Sequence, residues 1–177
     1  MRPLFLVGYM GCGKSTLARR IARRLGVEAV DTDRAVEERE GAAVADIFRY
    51  EGEEHFRLVE REVLEQVIAS GHGVVVSTGG GLPVWRDNME RMNGVGITVY
   101  LRRSADRIAR RLSPYGRQKR PRLRGLSDEE LVGFMSRDMA ERDPFYARAH
   151  CIVDCDRLSD DEAVEKILAE FKMKNEE

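Results

Sequence analysis

Residues 4–16 constrain this chain more than any others. Leu4-Phe5-Leu6-Val7 is an uninterrupted apolar run. Gly8-Tyr9-Met10-Gly11-Cys12-Gly13-Lys14-Ser15-Thr16 follows it directly with the spacing G-x-x-x-x-G-K-[ST]. Beyond it, apolar residues at 17, 18, 21, 22 and 25 recur with a helical period. A strand, a glycine-rich loop and a helix in that order make the pattern a phosphate-binding loop rather than a chance turn. Gly8, Gly11 and Gly13 allow backbone conformations that a Cβ forbids, so successive N–H groups and the positive helix end can meet an anion. On this reading Gly11, Cys12, Gly13, Lys14, Ser15 and Thr16 bind the phosphates of a nucleoside triphosphate. Lys14 supplies a cation to the β/γ-phosphates, and the Ser15 hydroxyl is the expected Mg²⁺ ligand.

Balanced charge narrows the partners. Thirty Lys and Arg face 31 Asp and Glu, for a formal net charge of −1, which does not favour nucleic acid or a membrane surface. No stretch approaches the ~18 apolar residues of a membrane span. The first strand begins at once and leaves no room for a leader, so the expected location is the cytoplasm. Cys12, Cys151 and Cys155 are read as free thiols, since Cys151, Cys155 and His150 offer too few ligands for structural zinc. No apolar surface stands out, and a monomer is expected.

Further along, apolar runs and helical periods alternate. A second strand, Val27–Val30, ends at Asp31-Thr32-Asp33, with a helix from Arg34 to about Glu40. Residues 45–70 keep helical spacing with a break at Gly52. Gly73–Thr78 reads as a buried strand ending in Gly79-Gly80-Gly81, then a helix around Val84–Met92, and Gly96–Leu101 as another strand. Ala105–Leu112 is helical. Residues 113–125 hold Pro114, Gly116, Pro121 and the cations Arg117, Lys119, Arg120, Arg122 and Arg124, the composition of a mobile loop. Ser127–Ala149 is a helix opened by a Ser127/Glu130 capping box, Cys151–Val153 a last strand, and Ser159 caps a final helix running through Phe171. Five strands alternating with helices predict one α/β domain over 1–177, a parallel sheet with helices on both faces.

In such a sheet, ligands collect beyond the carboxyl ends of the strands. Asp31, Asp33, Gly79–Gly81 and the phosphate loop therefore share a rim. One aspartate there can hold Mg²⁺ through water and the other can orient an attacking hydroxyl, unless both merely cap a helix. Arg57, beside Phe56 and near Glu60, reads without context as a solvated helix arginine. Three consecutive glycines at a strand end suggest close approach of backbone to a ligand. A loop rich in arginine can close over a γ-phosphate and stabilise the transferring charge, or it is a solvated basic loop. Trp85 is read as packing, with no chemistry assigned.

At this point the motifs resemble those of the shikimate kinase family, in order and over nearly the whole chain. Gly8 to Thr16 is similar to the family's P-loop and Asp31-Thr32-Asp33 to its D-[TS]-D. Gly41, Ile47-Phe48, Gly52-Glu53, Phe56-Arg57 and Glu60 follow its G…IF…GE…FR…E pattern. Thr78-Gly79-Gly80-Gly81 resembles its TGGG, Arg120-Pro121 its lid arginine, and Arg142, Pro144 and Tyr146 its R-x-P-x-Y. The chain departs from the family in two places. Arg120-Pro121-Arg122-Leu123 stands where R-P-L-L is usual, and Ser113-Pro114-Tyr115-Gly116 lengthens the lid.

The resemblance implies a P-loop kinase fold and ATP-dependent phosphorylation of the shikimate 3-hydroxyl. Asp33 would bind and deprotonate that hydroxyl, while Arg57 and Arg142 hold the carboxylate. Gly79, Gly80 and Gly81 would approach the ring, Gly80 most directly. Lys14 and Arg120 would stabilise phosphoryl charge, with Ser15 and Asp31 on Mg²⁺. Arg111 and Arg157 would flank adenine. A lid over about 113–125 and a substrate-binding helical region over about 33–62 complete the expectation. A gluconate-type kinase would share Lys14 and Ser15 but needs neither the two arginines nor the glycine triplet. A non-catalytic kinase-like sensor remains the alternative from another class.

Overall fold

The four residues of β1 (Leu4–Val7) are all buried, and the sheet order explains why. In this computed structural model, which describes every residue but Lys119 and Glu177, β1 lies in the middle of five parallel strands ordered β2-β3-β1-β4-β5. A strand paired on both edges and covered on both faces has no polar side to show, hence its unbroken apolar run. Leu4 pairs with Val75 on one edge and Ile97 on the other.

The remaining elements follow in order: α1 (Lys14–Leu25), β2 (Glu28–Asp31), α2 (Thr32–Glu40), α3 (Val44–Tyr50), α4 (Gly52–Ala69), β3 (Val74–Ser77), α5 (Asn88–Val95), β4 (Ile97–Arg102), α6 (Ala105–Arg111), α7 (Pro114–Gln118), α8 (Asp128–Tyr146), β5 (Cys151–Asp154) and α9 (Asp160–Glu176). α1 packs over β2 and β3 and against α9, which covers β4 and β5; α5 lies on β4. The expected doubly covered parallel sheet is the one observed.

Several boundaries move for local reasons. Asp31 caps α2, its Oδ1 accepting the Arg34 N–H at 3.3 Å, so the helix starts at Thr32 and Asp33 sits in its first turn rather than on a strand end. The expected helix around Val84–Met92 divides into a 3-10 turn at Leu82–Val84, led by Pro83, and α5. Residues 113–125 are not irregular throughout: Pro114, whose φ suits a first helical position, opens α7, and a second 3-10 turn spans Pro121–Leu123. Lys119, one of the expected lid cations, lies outside the described residues. The last helix continues past Phe171 to Glu176.

A small second core decides where the site can be. Val36 from α2, Ile47 from α3 and Phe56, Val59 and Val63 from α4 bury one another apart from the main core, with the Phe48 and Phe56 rings 4.7 Å apart. Side chains at 56, 59 and 63 share one face of α4. Burying a Phe or Val contributes on the order of 1.5–3 kcal/mol each, enough to fix α4 against α2. The adjoining face, carrying Arg57 and Glu60, is thereby held against the ends of β2 and β3.

Candidate active site

The phosphate loop connects β1 to α1. Gly8 has φ +142°, and a Cβ there would stand 2.8 Å from the Leu101 carbonyl oxygen, so this position excludes every side chain. Lys14 is only 7% exposed, and its Nζ donates to the Gly8 and Tyr9 carbonyls, each at 2.8 Å. Two of its three N–H bonds thus span the loop and set the ammonium at its centre. Ser15 Oγ donates to Asp31 Oδ2 at 2.5 Å and lies 3.1 Å from Ser77 Oγ.

Residues from every expected rim segment converge on one cavity of about 310 Å³. Met10, Gly11, Gly13, Lys14, Ser15 and Thr16 line it from the loop, Asp31 and Asp33 from β2 and α2, and Ser77, Thr78 and Gly80 from β3. Arg111 from the end of α6 and Arg120 from the 113–125 segment complete it. Cys12 is fully buried behind the loop and does not line this cavity. Arg111 also reaches Asp160 at 3.5 Å. Arg157 is exposed in the loop after β5 and is not among the lining residues, so the two expected adenine neighbours are not brought together there.

Electrostatics in this cavity separate the two aspartates. Burial, and then the charge of Asp31, hold the Asp33 carboxyl above the usual range despite Lys14 and Arg57. Asp31 instead keeps its oxygens on Ser15 and on the α2 N-terminus. Burial lowers the pKa of Arg120, partly opposed by Asp33, and its Nη1 donates to the Gly116 carbonyl at 2.6 Å. Asp33 and Arg120 therefore sense each other across the cavity.

A second cavity, about 380 Å³, is lined by Glu53, Arg57, Gly81, Val84, Trp85, Arg122, Asp138, Glu141 and Arg142. Arg57 and Arg142 share it although they are 85 residues apart in sequence, 142 minus 57. Arg57 is no solvated surface arginine. Its Nη1 donates to Glu60 Oε2 at 2.7 Å, and its guanidinium lies 5.2 Å from the Phe56 ring centre and 5.9 Å from that of Phe48. Trp85, read from sequence as packing, borders this cavity because the 3-10 turn at Leu82–Val84 and a left-handed Arg86 (φ +50°) set it there.

The glycine triplet joins the two cavities, for a reason sequence alone did not reveal. A Cβ on Gly79 would collide with Glu60 Oε1 and stand 2.5 Å from Asp33 Oδ1, and one on Gly81 would collide with the Arg57 guanidinium. Both are glycine to admit the protein's own functional side chains. Gly80 has more room, with Met10 N 3.4 Å and Arg142 Nη1 3.6 Å from its Cβ position, and its carbonyl accepts the Tyr146 hydroxyl at 2.6 Å.

Glu60 is the site residue that sequence reasoning underweighted, having entered as a neighbour of Arg57 and a member of the resembling pattern but with no role of its own. It is 0% exposed, takes Arg57 on Oε2 and the Thr32 hydroxyl on Oε1 at 3.4 Å, and Thr32 Oγ1 in turn accepts the Gly79 N–H at 2.8 Å. Burial pushes its pKa up to about 7, the Arg57 charge only partly opposing and Asp33 adding to the rise. In the unfolded chain it titrates near 4.5. Between those values the folded state binds the extra proton, so stability from this group is full below about 4.5 and lost as pH rises through about 7. Glu60→Gln is expected to remove that slope: across about pH 5–8, wild-type Tm should fall relative to the variant by roughly 5 °C. Parallel Tm curves would mean that Glu60 ionises freely.

Oxygen donors at Ser15 and Asp31 suit a hard cation such as Mg²⁺, which takes few protein ligands and keeps water and phosphate for the rest. Among the described residues, no group of three or more His, Cys, Asp or Glu side chains is arranged to hold a metal ion, and no helix is long and apolar enough to cross a membrane.

A parallel sheet with a lysine-centred phosphate loop at its middle strand, an aspartate facing it and an arginine from the 113–125 segment define a P-loop kinase. The family model for shikimate kinase matches residues 10–172. A shikimate kinase from Parabacteroides distasonis is 43% identical over 158 residues, 89% of this chain and 90% of its own length. The crystal structure of shikimate kinase from Bacteroides thetaiotaomicron superposes with a TM-score of 0.87 at 40% identity, covering 99% of each chain. That of the Acinetobacter baumannii enzyme in complex with shikimate does so with 0.84 at 32%, covering 99% of this chain and 94% of its own. This chain belongs to the shikimate kinase family.

Proposed function

We propose that the chain transfers the γ-phosphoryl group of ATP to the 3-hydroxyl of shikimate, giving 3-phosphoshikimate and ADP. The observation that carries this reading is the convergence of Arg57 and Arg142 on one cavity that meets the Lys14–Asp33–Arg120 cavity at Gly80. A carboxylate held by two guanidinium groups fixes one end of a small ring. The opposite, hydroxyl-bearing end then falls toward Asp33.

In the reaction the acceptor oxygen forms a bond to the γ-phosphorus as the bond from that phosphorus to the bridging oxygen breaks. The hydroxyl proton goes to Asp33, whose pKa burial raises above that of an ordinary aspartate, making it a stronger base. Lys14 and Arg120 take up charge on the phosphoryl oxygens, while the loop N–H groups of residues 11–16 hold the nucleotide in line. Arg111, at the cavity edge, offers a planar face for adenine. Ser15 and Asp31 would hold Mg²⁺, which would supply positive charge to offset that of the phosphates. Glu60 keeps Arg57 in place beneath Gly81. The lid excludes water that would otherwise hydrolyse ATP. Three cysteines that form no disulfide suit the reducing cytoplasm, the compartment this reading assigns.

The test is ADP release with Mg·ATP and shikimate, quinate or gluconate as acceptor. Shikimate is expected to give turnover, with quinate and gluconate near background. Background with all three, while ATP binds, would favour the sensor reading.

A further inference from the structure

One side-chain cluster bordering the carboxylate cavity has no part in the mechanism above. Asp138 is 8% exposed and gathers partners from three segments: it accepts the Tyr9 hydroxyl at 2.7 Å from the phosphate loop and forms ion pairs with Arg142 Nε at 3.4 Å on its own helix and with Arg122 Nη2 at 3.5 Å from the 113–125 segment. Asp138, Arg142 and Tyr146 are spaced four apart on α8, so they form a stripe on one helix face. The Arg122 guanidinium lies 5.1 Å from the Phe134 ring centre, also on α8, so that side chain is held by both an aromatic face and a carboxylate.

We propose that Asp138 is a positioning residue: it fixes the Arg142 guanidinium for the substrate carboxylate and, through Arg122, latches the lid onto that site. The inference rests on the shikimate reading above. With Nε of Arg142 paired to Asp138 and a further side-chain bond to Tyr146, the guanidinium is fixed in place and presents its remaining N–H groups to the substrate carboxylate. Nη1 already faces the Gly80 position. Tyr9 is the steady third partner, donating its hydroxyl. Burial and then the bond to Asp138 raise its pKa far above neutrality, so the phenol keeps its proton. Arg122 is 56% exposed, and an ion pair so open to water shifts a lid equilibrium by a few-fold rather than by orders of magnitude. That strength suits a latch that has to open in every turnover.

The experiment is steady-state kinetics of wild type, Asp138→Asn, Asp138→Glu, Arg122→Leu and the Asn/Leu double variant, with Trp85 fluorescence, from the chain's one tryptophan, following shikimate binding. Asp138→Asn keeps the side-chain shape and should raise KM for shikimate about tenfold, with much smaller changes in kcat and in KM for ATP. Arg122→Leu, at an exposed position that tolerates exchange, should raise it about threefold and increase ADP release without acceptor. The double variant should be no worse than Asp138→Asn, and Asp138→Glu should recover part of the loss. A lower Tm with unchanged KM for shikimate, or additive effects in the double variant, would overturn the latch while leaving the reaction assignment standing. A wild type that neither turns over shikimate nor changes Trp85 fluorescence with it would overturn both.

Discussion

Lys14→Ala is expected to lower kcat with saturating Mg·ATP and shikimate by at least about 10³-fold. The size follows from what one aimed charge is worth at a transferring phosphoryl group: removing a single oxyanion donor costs about 10²–10³, and a phosphate-directed arginine about 10³–10⁵. Lys14 is placed to act in this way because it is buried at the loop centre and held there by the Gly8 and Tyr9 carbonyls. The same two bonds predict a second effect. Their loss leaves loop carbonyls short of a donor, about 1–3 kcal/mol, so Tm should fall by several degrees. Lys14→Arg separates the two effects: it restores a charge, but its planar fork cannot take the place of a compact ammonium between two carbonyls. It should remain nearly as inactive while regaining part of the Tm. More than a tenth of wild-type kcat in either variant would mean that Lys14 does not meet the phosphates.

What could be read from sequence was local or periodic. The phosphate loop announces itself because strand, glycine spacing, lysine and helix are contiguous. The buried strands show as runs such as Val74–Ser77 and Ile97–Leu101, and a parallel sheet then puts Asp31, Asp33, Gly80 and Lys14 on one rim. What escaped depends on contacts between distant segments. Nothing near Asp138 in sequence discloses that Tyr9, 129 residues away, donates to it. Gly79 and Gly81 advertised close approach, but the approaching groups turned out to be Glu60, Asp33 and Arg57 rather than a ligand alone. Trp85 looked like packing because its position depends on a 3-10 turn and a left-handed neighbour that periodicity does not register. Glu60 was hidden for the opposite reason. Three residues after Arg57 on a helix, it has the spacing of an ordinary surface ion pair, and only its complete burial shows otherwise.

Asp33→Asn is expected to cost about 10²–10⁴ in kcat, the range for a lost general base, with ATP affinity retained. Asn keeps the shape and a hydrogen-bond acceptor for the substrate hydroxyl but cannot take its proton. Retained ATP binding follows from the geometry, since Lys14, Ser15 and the loop N–H groups are held without help from Asp33. The pH profile distinguishes a base from a mere anchor. Burial and Asp31 raise the Asp33 pKa, so wild-type kcat/KM should fall as pH drops through that elevated value, where the carboxylate gains a proton. The variant should lose the Asp33 contribution to that limb, and Glu60→Gln separates any part that comes from the Glu60 carboxyl. Arg120 supplies an internal check, because Asp33 raises its pKa across the cavity and such coupling acts both ways. Arg120→Ala should therefore move the acidic limb to higher pH, besides slowing phosphoryl transfer. A variant whose loss lies wholly in KM for shikimate, with the wild-type pH limb intact, would make Asp33 a binding group and give the proton another acceptor.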